Sequence, residues 1–488
     1  MAQRQTPQRQ IPLSGRRPTP AEAAAIRRRD PRFDGRLFMA VRTTGIYCRS
    51  ICPAQPLMKN IEIFDMSSKA EAAGYRPCQR CRPEAAPASP AWLGTSALVQ
   101  RALRAIHDPL RLLESEEDFA EGFGVSARHL RRLFEKELGQ SPKKIMRDQR
   151  LNFARKLVRE TELPMTEVCL AAGFGSLRRF NDAFLERFKE SPRTHRGQPK
   201  SEAGAFVLKL AYRPPFDWAH ALGYFRHHQI PGVEFIDDVT YARAFAQGWF
   251  QVSNLAAENA LALKVWTDDP TPLFALAQKV RRMFDLDSDP LWIEAHFHQD
   301  PTLGPLVRKA PGLRVTRAFS AHEAMIGTVL GQLVSVAFAR ELMGDLVREY
   351  GTPVEGHPEA RRFPSPEILQ RAKMNRLRTT AKRKSAIREI AGLIARGDLL
   401  IEEGADFAGF KNRLRQISGI GEWSAEYMAL RALGDPDAFP GTDLILKRAL
   451  ERHPGLETEK LRPWRAYAAI HLWHLYAQTL SQTGKRKR

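Results

Sequence analysis

The chain has 488 residues and carries 76 lysines and arginines against 55 acidic residues, a net charge of +21. That length allows about three or four domains, and a hydrophobic share of 43% is enough for ordinary buried cores. So basic a chain, with no apolar run of about 18 residues, excludes a membrane-spanning protein and points to a polyanionic partner, although charge alone would equally suit a generally sticky basic protein.

Residues 1–29 are rich in Gln, Pro and Arg without periodicity and read as a disordered basic arm. No apolar signal segment opens the chain, so a secreted disulfide framework is not expected and the location expected is cytoplasmic. Of the five cysteines, four form two close pairs, Cys48 with Cys52 and Cys78 with Cys81. Four thiolates so spaced suit a tetrahedral zinc ion. On spacing alone, a purely structural zinc knuckle is the plainer reading. The flanking residues FMAVRTTGIYCRSIC (Phe38–Cys52) and GYRPCQRC (Gly74–Cys81) resemble the N-terminal domain of Ada adaptive-response proteins. That resemblance, over 30–85, implies repair of methylphosphotriesters by methyl transfer to one zinc-bound cysteine. The acceptor position falls on Cys48, with Cys52, Cys78 and Cys81 completing the metal site. A zinc-bound thiol stays deprotonated at neutral pH, which is what a sulfur nucleophile needs.

The Ala/Pro-rich stretch Pro83–Pro90 reads as a linker. Residues 95–195 then read as helical, in two similar units, FAEGFGVSARHLRRLFEKELGQSP (Phe119–Pro142) and MTEVCLAAGFGSLRRFNDAFLERFKESP (Met165–Pro192). Each has a short helix, a turn marked by Gly124 or by Gly173 and Gly175, and then a basic helix capped by Ser126 or Ser176. This is tandem helix-turn-helix spacing, and it resembles the AraC family. Arg128, Arg131 and Arg132 in the first recognition helix, and Arg178 and Arg179 in the second, occupy positions that face a major groove. A linker helix, Lys143–Arg159, separates the units. Phe134, Phe180, Phe184 and Phe188 read as core, and Cys169 as buried and inert. The resemblance implies sequence-specific control of transcription, with RNA polymerase as a further partner; a non-specific DNA anchor is the blander alternative.

A polar linker, His195–Gly204, leads into segments that alternate as strands do: FVLKLAYRPPFDW, GVEFIDDVTYARAFA, GWFQVSNL and ALALKVW. Two helical segments follow, around 271–284 and 289–309. This unit, 204–315, resembles the small N-terminal α+β domain of AlkA-type glycosylases. His227, His228, His296 and His298 lack metal-ligand spacing and read as surface or packing residues.

From Ala321 the chain reads as helical to the end, in an all-α domain over 321–480, with Gly484–Arg488 as a frayed basic tail. A long apolar helical region, Glu323–Gly351, is broken near Gly331, and the basic stretch Arg371–Arg388 follows later. ISGIGEWSA (Ile417–Ala425) sets a glycine turn between two apolar-periodic segments, a helix–hairpin–helix pattern, and FPGTDLILK (Phe439–Lys447) follows it. Gly419 and Gly421 mark a turn where the backbone takes positive φ and presents bare N–H groups to a phosphate. Asp443, before an apolar run, taken alone is a helix N-cap. Together these segments resemble the helix–hairpin–helix DNA glycosylase superfamily, and the Trp423 and Tyr427 variants resemble its AlkA branch.

That resemblance implies further roles. Asp443 becomes the catalytic carboxylate. Trp423, Tyr427 and Trp473 (in IHLWHLY) become the walls of a pocket for an extruded base, stacking on the positive charge of alkylated purines. In GQLVS, Leu333 becomes the wedge that replaces the flipped nucleotide and Gln332 its neighbour, although periodicity alone would put Leu333 in a core. Bifunctional relatives carry a lysine where this chain has Trp423, so hydrolysis without strand cleavage is expected. No run of four cysteines follows the motif, so no iron–sulfur cluster is expected.

The fold class expected is thus multidomain and mainly α with α+β parts. A small four-cysteine zinc domain, a tandem helix-turn-helix, a small α+β domain and an all-α glycosylase domain act on double-stranded DNA as a monomer at the nucleoid. The competing reading is a DNA-binding regulator whose glycosylase half only binds lesions. A structural zinc clamp in place of the methyl acceptor is a second rival. A dealkylating cysteine for O6-methylguanine is not found after Cys81, where only Cys169 remains.

Overall fold

The computed structural model describes residues 15–28, 33, 37–52, 54, 56–65, 67–78, 81, 83, 97–106, 115–197, 204–298, 300–399, 401 and 407–485. Most of the Pro83–Pro90 linker, part of the His195–Gly204 linker and the last residues of the basic tail lie outside them.

The first 14 residues of the expected disordered arm also lie outside, but its second half corrects that reading. Helix α1 (Pro20–Arg28) is ordered. Thr19 and Glu22 form a capping box, each side chain accepting from the other's backbone N–H at 3.3 and 2.9 Å. Ala25 and Ile26 are buried, and Ile26 packs beside the cysteines. The zinc unit then builds β1 (Phe38–Val41), β2 (Ile46–Arg49), β3 (Ile61–Phe64), α2 (Ser67–Ala72) and β4 (Arg76–Pro77), with sheet order β3-β1-β2-β4.

The next unit is helical throughout: α3 (Ala97–Ile106), α4 (Glu116–Glu121), α5 (Ala127–Leu138), α6 (Pro142–Glu160), α7 (Met165–Ala171) and α8 (Leu177–Phe188). Ser126 and Ser176 cap α5 and α8, and Gly124 and Gly173 carry the positive φ of the two turns (71° and 76°). Phe134, Phe180 and Phe184 are fully enclosed, and Cys169 is buried.

Five antiparallel strands follow in the order β5-β9-β8-β7-β6. They are β5 (Phe206–Ala211), β6 (Glu234–Ile236), β7 (Thr240–Phe245), β8 (Gly248–Leu255) and β9 (Ala260–Trp266). Three details differ from the sequence reading. Helix α9 (Trp218–His227) interrupts the strands, started by Asp217, whose carboxylate accepts from the His220 N–H at 2.8 Å. GVEFIDDVTYARAFA is a hairpin of β6 and β7, not one strand, because Asp237 accepts from Val239 and Thr240 N–H and turns the chain. After α10 (Leu273–Met283), the second expected helix divides into α11 (Pro290–Phe297) and α12 (Leu303–Lys309), with the Asp300 carboxylate accepting from the Thr302 and Leu303 N–H groups between them.

The last unit holds α13 (Ala321–Gly331), α14 (Val336–Tyr350), β10 (Thr352–Val354), β11 (His357–Arg362), α15 (Pro366–Leu369), α16 (Ala381–Ala395), α17 (Phe407–Arg415), α18 (Glu422–Met428), α19 (Leu444–Arg452) and α20 (Arg465–Lys485). It is therefore not helical to the end: β10 and β11 form a hairpin that packs Val354 and Ala360 against Ala244 of β7. Helix α18 runs on into a π turn, Ala429–Leu433.

The α+β unit and the helical unit are joined by a buried charge. Arg243 on β7 donates to both carboxylate oxygens of Glu323 on α13 at 2.9 and 2.8 Å, with Glu234 at 3.7 Å. All three are nearly inaccessible to water. Removing the arginine leaves two carboxylates unpaired. Arg243→Met is expected to destabilise this half by about 3–5 kcal/mol, read as a lower midpoint in urea melts followed by tryptophan fluorescence; an unchanged midpoint would show that the pair contributes nothing.

Candidate functional site

Asp443 is the N-cap that its position suggested, and its carboxylate has further partners. It is the N-cap of α19, its Oδ1 accepting from the backbone N–H of Ile445 at 3.0 Å and Leu446 at 3.1 Å. The same carboxylate accepts two indole N–H groups, Trp473 on Oδ1 at 3.0 Å and Trp423 on Oδ2 at 3.1 Å. The cap therefore does not compete with a chemical role; it aims the carboxylate between the two tryptophans. Trp423 and Tyr427 lie one helical turn apart on α18, and their rings stack at 5.3 Å and 16°. Trp473 of α20 meets Tyr427 edge-on at 6.1 Å. All three rings and Asp443 are half-buried, which leaves them open to a guest. The structure thus brings together the four residues of the expected pocket.

Two members of this site escaped the sequence reading. Arg431, on the π turn, continues the face of Trp423 and Tyr427 by one further turn. Its Nη1 donates to the Thr316 backbone O at 2.7 Å and Oγ1 at 3.0 Å. Its guanidinium lies 4.1 Å from the Tyr224 ring and 5.5 and 5.7 Å from Trp473 and Tyr427. Tyr224 comes from α9 in the preceding unit. Enclosure pushes its phenol up from the ordinary value, with Arg431 pulling the other way. The spacing from Trp423 to Arg431 was a legible signal; nothing in the sequence ties Tyr224 to them.

The hairpin is adjacent. Gly419 has φ 95°, and a Cβ there would meet the Lys382 side chain at 3.2 Å. Gly421 departs from the expectation of positive φ. It sits at −90° as the N-cap of α18 with open space around it, so what its missing side chain leaves is room. Gln332 donates from Nε2 to the Gly419 backbone O and to Ser424 Oγ, both at 2.9 Å, and Arg383 of the basic α16 donates to the Gln332 backbone O. Leu333 is fully exposed and has φ 54°. The core reading is thereby overturned. A leucine held in the left-handed region costs about 1–2 kcal/mol, and here no burial offsets it.

In the zinc unit the four sulfurs of Cys48, Cys52, Cys78 and Cys81 lie within 4.8 Å of one another. Among the described residues this is the one group able to hold a metal ion; His227, His228, His296 and His298 form none. Zn–S bonds of about 2.3 Å in a tetrahedron need sulfurs roughly 3.8 Å apart, so the set fits. Packed this closely, the thiols compete for negative charge. Contacts with Cys52 and Cys81 push Cys48 up, while Cys48 and Cys81 draw Cys52 down to about 2. A bound dication compensates all four thiolates at once. Cys48, Cys52 and Cys81 are buried and Cys78 is half-buried, so accessibility does not single out Cys48.

Of the expected groove-facing arginines, Arg128, Arg132, Arg178 and Arg179 are exposed on α5 and α8. Arg131 is exposed as well, and Glu116 of α4 accepts from its Nε at 3.1 Å. Among the described residues no helix is long and apolar enough to cross a membrane.

Zinc ligation and regulator helices ahead of an aromatic–carboxylate cleft define a modular DNA-repair class, and comparison with known proteins agrees. The metal binding domain of Ada matches residues 21–84, a helix-turn-helix domain residues 119–198, and the AlkA N-terminal domain residues 207–320. The chain is 34% identical over 478 residues to the probable bifunctional transcriptional activator/DNA repair enzyme AlkA of Mycobacterium tuberculosis, covering 94% of this chain and 96% of that protein. It is 31% identical to DNA-3-methyladenine glycosylase 2 of Escherichia coli (55% of this chain, 97% of that one). It is 39% identical to the bifunctional transcriptional activator/DNA repair enzyme Ada of Escherichia coli (30% and 40%). The chain belongs to the family of bifunctional transcriptional activator/DNA repair enzymes of the AlkA type. One zinc ion belongs to its four-cysteine site. Cys52→Ser is expected to lower bound zinc from one per chain towards none, measured by elemental mass spectrometry on the intact protein; retention of a full equivalent would remove Cys52 from the ligand set.

Proposed function

We propose that this chain hydrolyses the N-glycosyl bond of alkylated purines of the 3-methyladenine and 7-methylguanine type in double-stranded DNA. The grip of two indole N–H groups on Asp443, in the cleft walled by the same rings, carries the reading. A base that is already cationic stacks on electron-rich rings. As the C1′–N bond lengthens, its electron pair leaves with the base and positive charge develops on the sugar. Asp443 faces that charge, stabilises it and orients the attacking water. The water's oxygen bonds C1′ and its proton is released. Trp423 stands where a lysine nucleophile would be needed for a covalent sugar adduct, so the product is an abasic site on an unbroken strand. No iron–sulfur cluster enters this reading.

Gly419, Gly421 and Gln332 suit a phosphate-gripping turn, since the backbone of the hairpin is unobstructed at Gly421. Leu333, exposed and held out by its backbone, suits a wedge that fills the space left by an extruded nucleotide. The exposed arginines of α5 and α8 suit major-groove contacts at a promoter site, with RNA polymerase as a further partner, and the chain acts as a monomer.

Asp443→Asn is the decisive substitution. Asparagine caps a helix as well as aspartate does, so α19 persists, although the new amide would face the Trp423 N–H. Base release from methylated DNA is expected to fall on the order of 10²–10³-fold, with lesion binding retained and no borohydride-trapped complex from either protein. Near-normal release would remove Asp443 from the chemistry. No abasic sites from the wild type would favour a module that only binds lesions.

The zinc unit extends the proposal. Zinc, when bound, keeps its cysteine ligands deprotonated. Cys48 Sγ takes the methyl group from a phosphotriester: an S–C bond forms, the O–C bond breaks, and the phosphodiester regains its negative charge. Incubation with methylphosphotriester DNA is expected to add one methyl mass to the peptide containing Cys48. A methyl on Cys78, the more accessible ligand, would reassign the acceptor, and no adduct would leave the zinc as a structural clamp.

A further inference from the structure

The sheet of the zinc unit has two apolar faces, and its cysteines take up one of them. Along β1 and β2 successive side chains point to opposite sides. Met39 and Cys48 are paired across the strands, and they join Ile61, Ile63, Cys52 and Cys81 in one cluster. Ala40 and Tyr47 are the next pair, and they join Phe38, Phe64, Ala70 and Tyr75 in a second cluster on the other side. Tyr47 is 0% exposed and Phe38 2%. A unit this small has few residues of its own to spare for covering a second face. Helix α2 contributes Ala70, and Ala73 just beyond it packs against the cluster.

The cluster is also packed by a residue of another unit, Trp292 of α11. That helix is apolar on more than its inner side. Ile293 and Phe297 are buried in the large core that α11 shares with the last unit. Leu291 and Trp292 are not part of that core; Leu291 is 63% exposed and Trp292 is half-buried. A helix with apolar residues on both sides calls for a partner on each, and a tryptophan offers large, rigid apolar area to an interface. Nor is α11 a loose arm. His296, one turn after Trp292, is hydrogen-bonded to the backbone of Lys460 and Arg462, and its burial lowers its pKa.

We propose that Trp292 is the seat on which the zinc unit docks, so that the four-cysteine site and the aromatic cleft are carried on one body at one separation. Partners within one chain meet at an effective concentration of about millimolar, so a modest apolar patch is enough to hold them together. Docking leaves the cysteine face free, because Tyr47 and Cys48 are neighbours on β2 and point to opposite sides. The α+β unit thereby becomes the platform of the chain. Its Phe274 and Lys209 meet Phe153 and Glu160 of the regulator helix α6, its Arg243 holds Glu323, and its α11 receives the zinc unit. The proposal concerns placement and stands apart from either repair activity.

Small-angle X-ray scattering on the full-length, zinc-loaded protein tests it. The wild type is expected to scatter as one compact particle. Trp292→Ser is expected to shift to a larger radius of gyration and maximum dimension, with its zinc and its far-ultraviolet circular dichroism retained. Superimposable curves from the two proteins, or a wild type that is already extended, would overturn the docking. Should the serine protein lose zinc or helical signal, a second measurement decides. Trp292 is replaced by the photoreactive aromatic p-benzoylphenylalanine in the intact chain, which is irradiated, digested and mapped by mass spectrometry. Attachment to peptides between Leu37 and Cys81 is expected; a product without any attachment to that unit would overturn the proposal.

Discussion

Four N–H groups converge on one carboxylate, and three helices depend on the meeting. The first turn of α19 supplies two of the donors, α18 supplies the Trp423 indole and α20 the Trp473 indole. Hydrogen bonds to a charged acceptor are each worth about 1.5–3 kcal/mol net, so Asp443 acts as a joint between the three helices. An oxygen that answers to a helix terminus on one side and an aromatic edge on the other has little freedom to rotate. The fold alone therefore fixes how this carboxylate is aimed. The neighbouring loop is held in the same manner: Asp437 accepts from Arg462 and Arg465, and Asp435 pairs with Lys411.

The exposed rim formed by Leu333 and the hairpin is built on a different principle. Leu333 has no partner within the fold to hold it, so its exposed left-handed conformation is supported from either side. Gln332 is tied to Gly419 and Ser424 of the hairpin, and Ser335 starts α14 by capping Phe338 N–H at 3.2 Å. The loop carrying the leucine and the turn carrying the two glycines are thus one mechanical unit.

Much of this was legible in the chain, for identifiable reasons. The cysteine pairs, the serine-capped recognition helices and the Trp423–Tyr427 spacing are local patterns, and local patterns survive translation into structure. What eluded the sequence was made by tertiary contact. Tyr224 reaches the aromatic cleft from another unit. Helix α9 and the β10–β11 hairpin are short elements set among longer signals of the opposite kind. The capping box at Thr19 and Glu22 was present in an arm whose composition argued for disorder, and two buried side chains were enough to fold it. Leu333 shows the reverse case, since periodicity alone assigns it to a core, whereas the structure leaves it fully exposed. Gly421 taught the difference between a glycine required by φ and one whose use lies in the space around it.

Helix α6 is built into the α+β unit rather than tethered to it. Phe153 on α6 meets Phe274 on α10 at 4.6 Å, Glu160 accepts the Lys209 N–H of β5, and one apolar cluster continues from the regulator helices into the sheet. Here the junction has become a shared interior. Parting the two halves would strip Phe153 and Phe274 of each other and bare the apolar surface around them, so neither half could turn without the other.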